Sequence, residues 1–471
     1  MTAPTQDIAM QPNSARARDI AHVVHQHTDL HAFERDGGTL MVGGDGIYVI
    51  DEDGNRYLEA MAGMWSASLG FSEHRLAEAA YRQMLSLPYY HTFYAKGHLP
   101  SVDLAEKLVS IAPRVAGAEK LTKVLLQCSG SESNDLAIKL IWYYHNAIGK
   151  PGKKKIIGRV RGYHGATIAT ASLSGLQTMY QGFDLPIPMF LHADNPHYYR
   201  LHEAGESEEA FSRRMADNLE QLILREGPET IAAFFAEPVQ GGGGAIVPPA
   251  RYFEFVQDVL RKYDILFVVD EVICGFGRTG NMWGCETFDL RPDLVTCGKA
   301  LSASYQPISG LLLTRKIHDA MVAQSAEKGS FAHGFTFAAH PVACAVALEA
   351  LAIYEQDRTV EHVRAVAPVF QDALRSLLDH PMVGDARAVG LFGGVELMQS
   401  GAERIPFPPS FKMGQRVQDE CLRLGLIVRC IVDRIAFTPP LIITAAQIAE
   451  MTALFRQALD NVWARTRHDL P

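Results

Sequence analysis

The chain has no long apolar run. No uninterrupted hydrophobic stretch approaches the roughly 18 residues that cross a bilayer, so no membrane span is expected. It is also short of basic runs. No Lys/Arg block is longer than Lys153-Lys154-Lys155, and the net charge is -9. Nucleic acid is therefore not an expected partner. The seven cysteines include no Cys-x-x-Cys pair and no metal-ligand spacing, so neither a metal site nor a disulfide framework is expected. An odd number of scattered cysteines fits a reducing compartment. The stretch from Met1 to Ser14 is polar, with two prolines and no apolar core of a secretory signal. These absences make the cytoplasm the expected location. Internal repeats and low-complexity tracts are absent as well. What remains is 471 residues, 48% hydrophobic and 21% charged. That is the globular range, in a chain long enough for two or three lobes.

Residues 1–25 read as a tail with one amphipathic piece at 20–27. A meander follows at 40–42, 46–50 and 56–58, with turn residues Asp51-Glu52-Asp53-Gly54-Asn55 before its last strand. From His74 onward helical lengths alternate with short apolar runs at 124–126, 155–157, 232–236, 265–269, 294–296 and 311–313. Such runs predict strands buried on both faces of a mostly parallel sheet in an α/β fold. Ligands of such sheets lie beyond the carboxyl ends of the strands. Glu237 and Asp270 each end a run and Lys299 follows a third, so all three are expected at one crevice. A helix at 341–355 leads to a C-terminal lobe. There a helix at 360–378, a strand with a glycine bend at 389–397 and a last helix from Ala445 are expected. The division is an N-terminal segment at 1–75, a large domain at 76–340 and a small domain at 341–471.

Two segments carry the chemistry. Val268-Val269-Asp270-Glu271-Val272 ends an apolar run on an acid, and Thr296-Cys297-Gly298-Lys299-Ala300 follows the next with a lysine. A buried lysine is costly as a cation, so it is either paired, or neutral and used. One use is an imine to an aldehyde cofactor, with a carboxylate against the cofactor's pyridine nitrogen. Asp270 would keep that nitrogen protonated. Val272, two residues on, would press on the ring. The plainer alternatives are an Asp270 paired with Arg278 and a Lys299 that snorkels to water.

Other motifs surround this pair. Cys128-Ser129-Gly130-Ser131-Glu132-Ser133-Asn134 lies between a strand and an amphipathic helix. Small residues at a helix start leave N–H groups free for an anion. Gly130 and Ser131 thus form a phosphate cup, or Ser129 is an ordinary cap. Arg161-Gly162-Tyr163-His164-Gly165 offers Tyr163 as a plate for a flat ring, or a loop packed on its own lobe. Glu237-Pro238-Val239-Gln240 followed by Gly241-Gly242-Gly243-Gly244 reads as a stiff, then flexible, loop. In Gly334-Phe335-Thr336-Phe337, Thr336 is a candidate phosphate ligand or a turn residue. Arg429 sits in an apolar setting and needs a carboxylate, from a substrate or from the protein itself.

Taken in order, these motifs resemble those of the class III aminotransferases, pyridoxal-phosphate enzymes of fold type I. The match covers nearly the whole chain, from Gly63-Met64-Trp65 through Tyr163-His164-Gly165 and the run from Asp270 to Gly280, to Phe335-Thr336-Phe337. Within that class the chain is most similar to the amine:pyruvate, or omega, transaminases, through Trp65, Phe93-Tyr94 and Arg429. Ser133 stands where the family usually has Ala, and His31-Ala32-Phe33 lacks the proline often found there.

The resemblance implies a large lobe with a mostly parallel seven-stranded sheet and a smaller α+β lobe from both chain ends. It implies pyridoxal 5'-phosphate joined to Lys299, with Asp270 as the second catalytic residue. Ser129, Gly130, Ser131, Tyr163, His164, Glu237, Val272 and Thr336 complete the cofactor contacts. Phe33, Trp65, Phe93, Tyr94, Tyr163 and Arg429 line the substrate pocket, with Arg429 a movable arm for the carboxylate of pyruvate or alanine. A homodimer is implied, with Thr336 and Phe33 crossing to the other subunit's site; pairing into tetramers stays open. The implied reaction moves an amino group from an amine or omega-amino acid to pyruvate in two half-reactions. Decarboxylation, a 1,2-amino shift or racemisation on the same scaffold stays an alternative, as does a catalytically silent homologue.

Overall fold

The computed structural model describes residues 13–470. Residues 1–12 of the expected tail lie outside that range. The amphipathic piece expected at 20–27 is the helix Ala15–His22 instead. It starts earlier because the Ser14 hydroxyl accepts the Ala17 N–H at 3.1 Å, which satisfies one free donor of the first turn.

Seven strands form the central sheet. Their spatial order is Leu121–Gln127, Ser309–Thr314, Leu294–Cys297, Leu266–Asp270, Ile231–Ala236, Lys155–Arg159 and Phe190–Ala193. Ser309–Thr314 is antiparallel to both neighbours, and the other pairings are parallel. Ile231–Ala236 and Leu266–Asp270 are buried at every residue, as strands covered on both faces must be. One face packs against Leu136, Ile138, Leu140 and Ile141 of the helix Gly130–Ala147. The other packs against Val346, Ala347 and Ala350 of the helix Pro341–Gln356. The edge strand Phe190–Ala193 was not expected. It is four residues long, and with Pro186 and Pro188 before it and His192 within it only the brief apolar run Met189-Phe190-Leu191 marks it.

Two smaller sheets flank this one. The meander strands Met41–Asp45, Tyr48–Asp51 and Arg56–Glu59 are extended by Leu426–Ile427, which pairs in parallel with Leu58 and Glu59. The two chain ends therefore share one sheet. The single bent strand expected at 389–397 is two antiparallel strands, Val383–Val389 and Phe392–Leu397. They reverse at Gly390, whose φ is +55° and whose missing Cβ would collide with the Arg278 carbonyl and the Thr279 backbone. Arg278 is fully buried and donates to the carbonyls of Leu391 (3.1 Å) and Pro439 (2.6 Å). It is thus committed to joining the lobes and is not the partner of Asp270. Among the described residues, no helix is long and apolar enough to cross a membrane.

Candidate active site

The carboxyl ends of the parallel strands open on a cavity of about 380 Å³. Asp270 closes Leu266–Asp270 at its floor and is 3% exposed. Its Oδ2 accepts from Asn134 Nδ2 at 2.8 Å and lies 2.9 Å from His164 Nδ1. Its Oδ1 accepts the Val272 N–H at 3.1 Å. One oxygen is thus held by two side chains, while the other has a single backbone donor. Among the described residues, three buried atoms around it have no hydrogen bond: His164 Nε2, Glu237 Oε2 and Asn134 Oδ1. Burial pushes the Glu237 carboxyl up to about 7, against the pull of His164 and of Arg159, whose Nη2 is 3.6 Å away.

The remaining walls come from the loops read in sequence. Ser129 is indeed a helix cap, its hydroxyl accepting the Glu132 N–H at 3.2 Å. Capping takes only that donor, so the first N–H groups of Gly130–Ala147 stay available to an anion. The cap and cup readings are therefore compatible. Gly130 packs on Val272, whose two methyls would lie 3.0 Å from any Cβ. Gly165 (φ +141°) lies so close to Ser131 that a Cβ would stand 2.7 Å from its hydroxyl. Lys299 follows Leu294–Cys297 in the left-handed region (φ +49°). Burial lowers its pKa, while Asp270 and Glu237 oppose that shift. Its ammonium stands 5.6 Å from the centroid of the Trp65 ring.

A second cavity, of about 780 Å³, adjoins the first and shares Met64, Tyr163 and Lys299 with it. Trp65 (φ +61°) and Arg429 lie in its wall. The Arg429 guanidinium sits 5.2 Å from the Trp65 ring centroid and donates to Met64 Sδ at 3.4 Å. Among the described residues, no carboxylate pairs with it. Burial lowers its pKa, and its Nε has no acceptor. Of the two partners left open by the sequence, the protein's own carboxylate is thereby removed among the described residues. Tyr163 is held from behind by Gly242, where a Cβ would stand 2.8 Å from the Tyr163 Cβ. Gly241, Gly243 and Gly244 are equally crowded, by Ile273, Arg161 and Arg434. The expected flexible glycine loop is a packed turn.

Within one chain the structure brings together Ser129, Gly130, Ser131, Tyr163, His164, Glu237, Asp270, Val272 and Lys299 around the inner cavity. Trp65, Tyr163 and Arg429 gather around the outer one. Four candidates are elsewhere. Phe33 is buried against His25, with ring centroids 4.2 Å apart. Phe93 packs over Gly334, Tyr94 is 86% exposed, and Thr336 is exposed with its carbonyl accepting from Tyr89. Sequence reasoning missed the roles of Asn134 and Met64. Each lay inside a quoted motif, and only the fold reveals what its side chain touches.

An anion cup, a buried carboxylate at the floor, a lysine at the rim and unpartnered polar atoms between them fit pyridoxal phosphate. The family comparison agrees. The aminotransferase class-III model matches residues 34–459, and the chain belongs to that family of pyridoxal-phosphate enzymes. It is 48% identical over 417 residues to a chloroplastic gamma aminobutyrate transaminase 3 of Solanum lycopersicum, covering 88% of this chain and 79% of that one. It is 46% identical over 421 residues to the vanillin aminotransferase of Capsicum chinense, covering 89% and 91%. Among solved structures it resembles the omega transaminase of Pseudomonas jessenii in complex with PMP. The TM-score is 0.93 and the identity 47%, over 96% of this chain and 98% of that one. The fold is therefore that of the omega transaminases, and the protein is a transaminase.

Proposed function

We propose that this transaminase moves an amino group from an amine or omega-amino acid to pyruvate, giving alanine, in two half-reactions. The observation that carries the acceptor is Arg429, a guanidinium in the cavity wall with no carboxylate of its own chain among the described residues. The cofactor, when bound, supplies an electron sink for the substrate carbon. The chain's residues do the rest. Lys299 Nζ would hold the cofactor and would carry the proton at the substrate carbon. Burial favours its neutral, basic form. Asp270 keeps a facing ring nitrogen protonated, and Asn134 and His164 keep Asp270 in place. Tyr163 and Val272, both in the wall of the inner cavity, would hold the ring. Ser129, Gly130 and Ser131 take the phosphate.

We assign Phe33, Phe93, Tyr94 and Thr336 to sites completed by a second copy of the chain. Exposed Tyr89, Tyr90, Tyr94 and Phe337 support that homodimer, since aromatics left bare in one chain mark an interface. The domain limits 1–75, 76–340 and 341–471 remain a proposal; separate apolar cores support a large and a small lobe, with the helix Pro341–Gln356 packed into the large one. All seven cysteines are free, which supports a reducing compartment, here taken as the cytoplasm.

The test is visible absorbance of the holoenzyme. A yellow band bleached by an amine and restored by pyruvate is the expected result. A band that persists with every amine, or product formed without any keto acceptor, would defeat the reading in favour of the other reactions of the scaffold.

A further inference from the structure

The outer cavity holds more positive charge than the proposed reaction uses. Arg161, Lys299 and Arg429 lie in its wall, and among the described residues no acidic one does. Lys299 belongs to the cofactor and Arg429 suffices for the carboxylate of pyruvate. Arg161 is left over.

Its surroundings give it no internal duty. The residue is half-buried with φ +66°, held there by its backbone: its N–H donates to the Gly175 carbonyl at 2.8 Å. Among the described residues, its guanidinium has neither a hydrogen bond nor an ion pair. The carboxylate whose charge acts on it, Glu396, is fully buried and already taken. Arg200 binds it at 2.5 Å, Arg387 at 2.9 Å and Arg434 at 3.3 Å, with His197 also 3.3 Å away. Asp385 is spent on Arg387 at 2.6 Å. Burial and the positive charge of Arg200 both act against Arg161, and only the shared Glu396 opposes them. A cation kept in such a place without an anion calls for one from outside.

We infer that Arg161 is a second carboxylate seat, for substrates whose carboxylate lies remote from the carbon that reacts. This deepens the transaminase reading above and rests on it. Arg429 takes a carboxylate attached to the reacting carbon. Arg161, in the wall of the same cavity as Tyr163 and Gly242, takes one at the far end of a chain, as in an omega-amino acid. Two seats let one cavity accept both partners of the reaction in turn.

The experiment compares 4-aminobutyrate with butylamine, which has the same chain without the carboxylate. Both are used as donors to pyruvate with holoenzyme of wild type, Arg161→Gln and Arg161→Lys. In Arg161→Gln the KM for 4-aminobutyrate should rise about tenfold or more relative to that for butylamine, the scale of one charge-assisted hydrogen bond. Arg161→Lys should restore part of the difference, and glutarate should inhibit wild type more strongly than Arg161→Gln. An unchanged KM ratio with butylamine turned over normally would overturn the second seat alone. Failure of wild type to pass the amino group of either donor to pyruvate would overturn the proposed transfer to pyruvate, and the seat with it.

Discussion

The inner and outer cavities meet at Lys299 and are built on opposite lines. Around Asp270 the protein supplies donors for its own carboxylate, from Asn134, His164 and the Val272 backbone. Around Arg429 and Arg161 the described residues supply no paired counter-charge. The inner end is thus arranged before any ligand arrives, and preorganised charge costs no rearrangement during reaction. The outer end leaves its charges to be satisfied by whatever enters. Fixed chemistry with variable substrates follows from that contrast.

Substitutions at the two ends should therefore differ in kind. Lys299→Ala should abolish turnover with every donor while circular dichroism shows an intact fold; ordinary rates would end the proposed mechanism. Asp270→Asn keeps the shape and removes the charge. It should lower kcat on the order of 10²-fold or more for all substrates alike, with little change in KM. A loss confined to one donor would mean that the inner site also selects. Arg429→Ala should raise the KM for pyruvate about tenfold and leave that of an aryl amine far less affected. Equal losses would erase the distinction between the two cavities.

The last effect is on stability and concerns the segment before Met64 and Trp65. Glu59 is buried, and its carboxylate accepts from the N–H groups of Met61 and Gly63, just before Met64 and Trp65. Burial raises its pKa to about 7. From roughly pH 4.5 to 7 the folded chain therefore keeps a proton that the unfolded chain has released. Stability from this group falls as pH rises through that window and is lowest above it. Glu59→Gln cannot ionise. The stability of wild type relative to the variant should fall between roughly pH 5 and 7, by at most about 1.4 kcal/mol per pH unit. Urea titrations at several pH values would show it. A pH-independent difference would mean that Glu59 stays in one protonation state.

Most of the inner site is legible in the amino-acid sequence. Asp270 and Lys299 stand at the ends of apolar runs, and strand order alone sends such ends to one crevice. Ser129, Gly130 and Ser131 stand where a helix must begin. What escaped was set by contacts far apart in sequence. Asn134 reaches Asp270 across 136 positions. The crowding that turns Gly241–Gly244 into a rigid corner comes from Tyr163, Ile273 and Arg434. Of the fold, the long fully buried strands were plain, while Phe190–Ala193 at the edge and the reversal at Gly390 were not. A short edge strand needs little apolar sequence, and a tight reversal inside an apolar run leaves the hydropathy pattern unbroken.

The antiparallel strand Ser309–Thr314 has one more consequence. It separates the strand that leads to the anion cup from the strand that leads to Lys299, and its first residue ties the cup down. Ser309 Oγ donates to the Ser129 carbonyl and meets Ser133 Oγ, each at 2.7 Å. Cup and lysine are therefore two strand spacings apart, about 10 Å of backbone hydrogen bonding. The sheet is a ruler that no side-chain exchange can recalibrate. Variants can widen or narrow what the outer cavity admits, but the length of the molecule clasped at the floor is written in main chain.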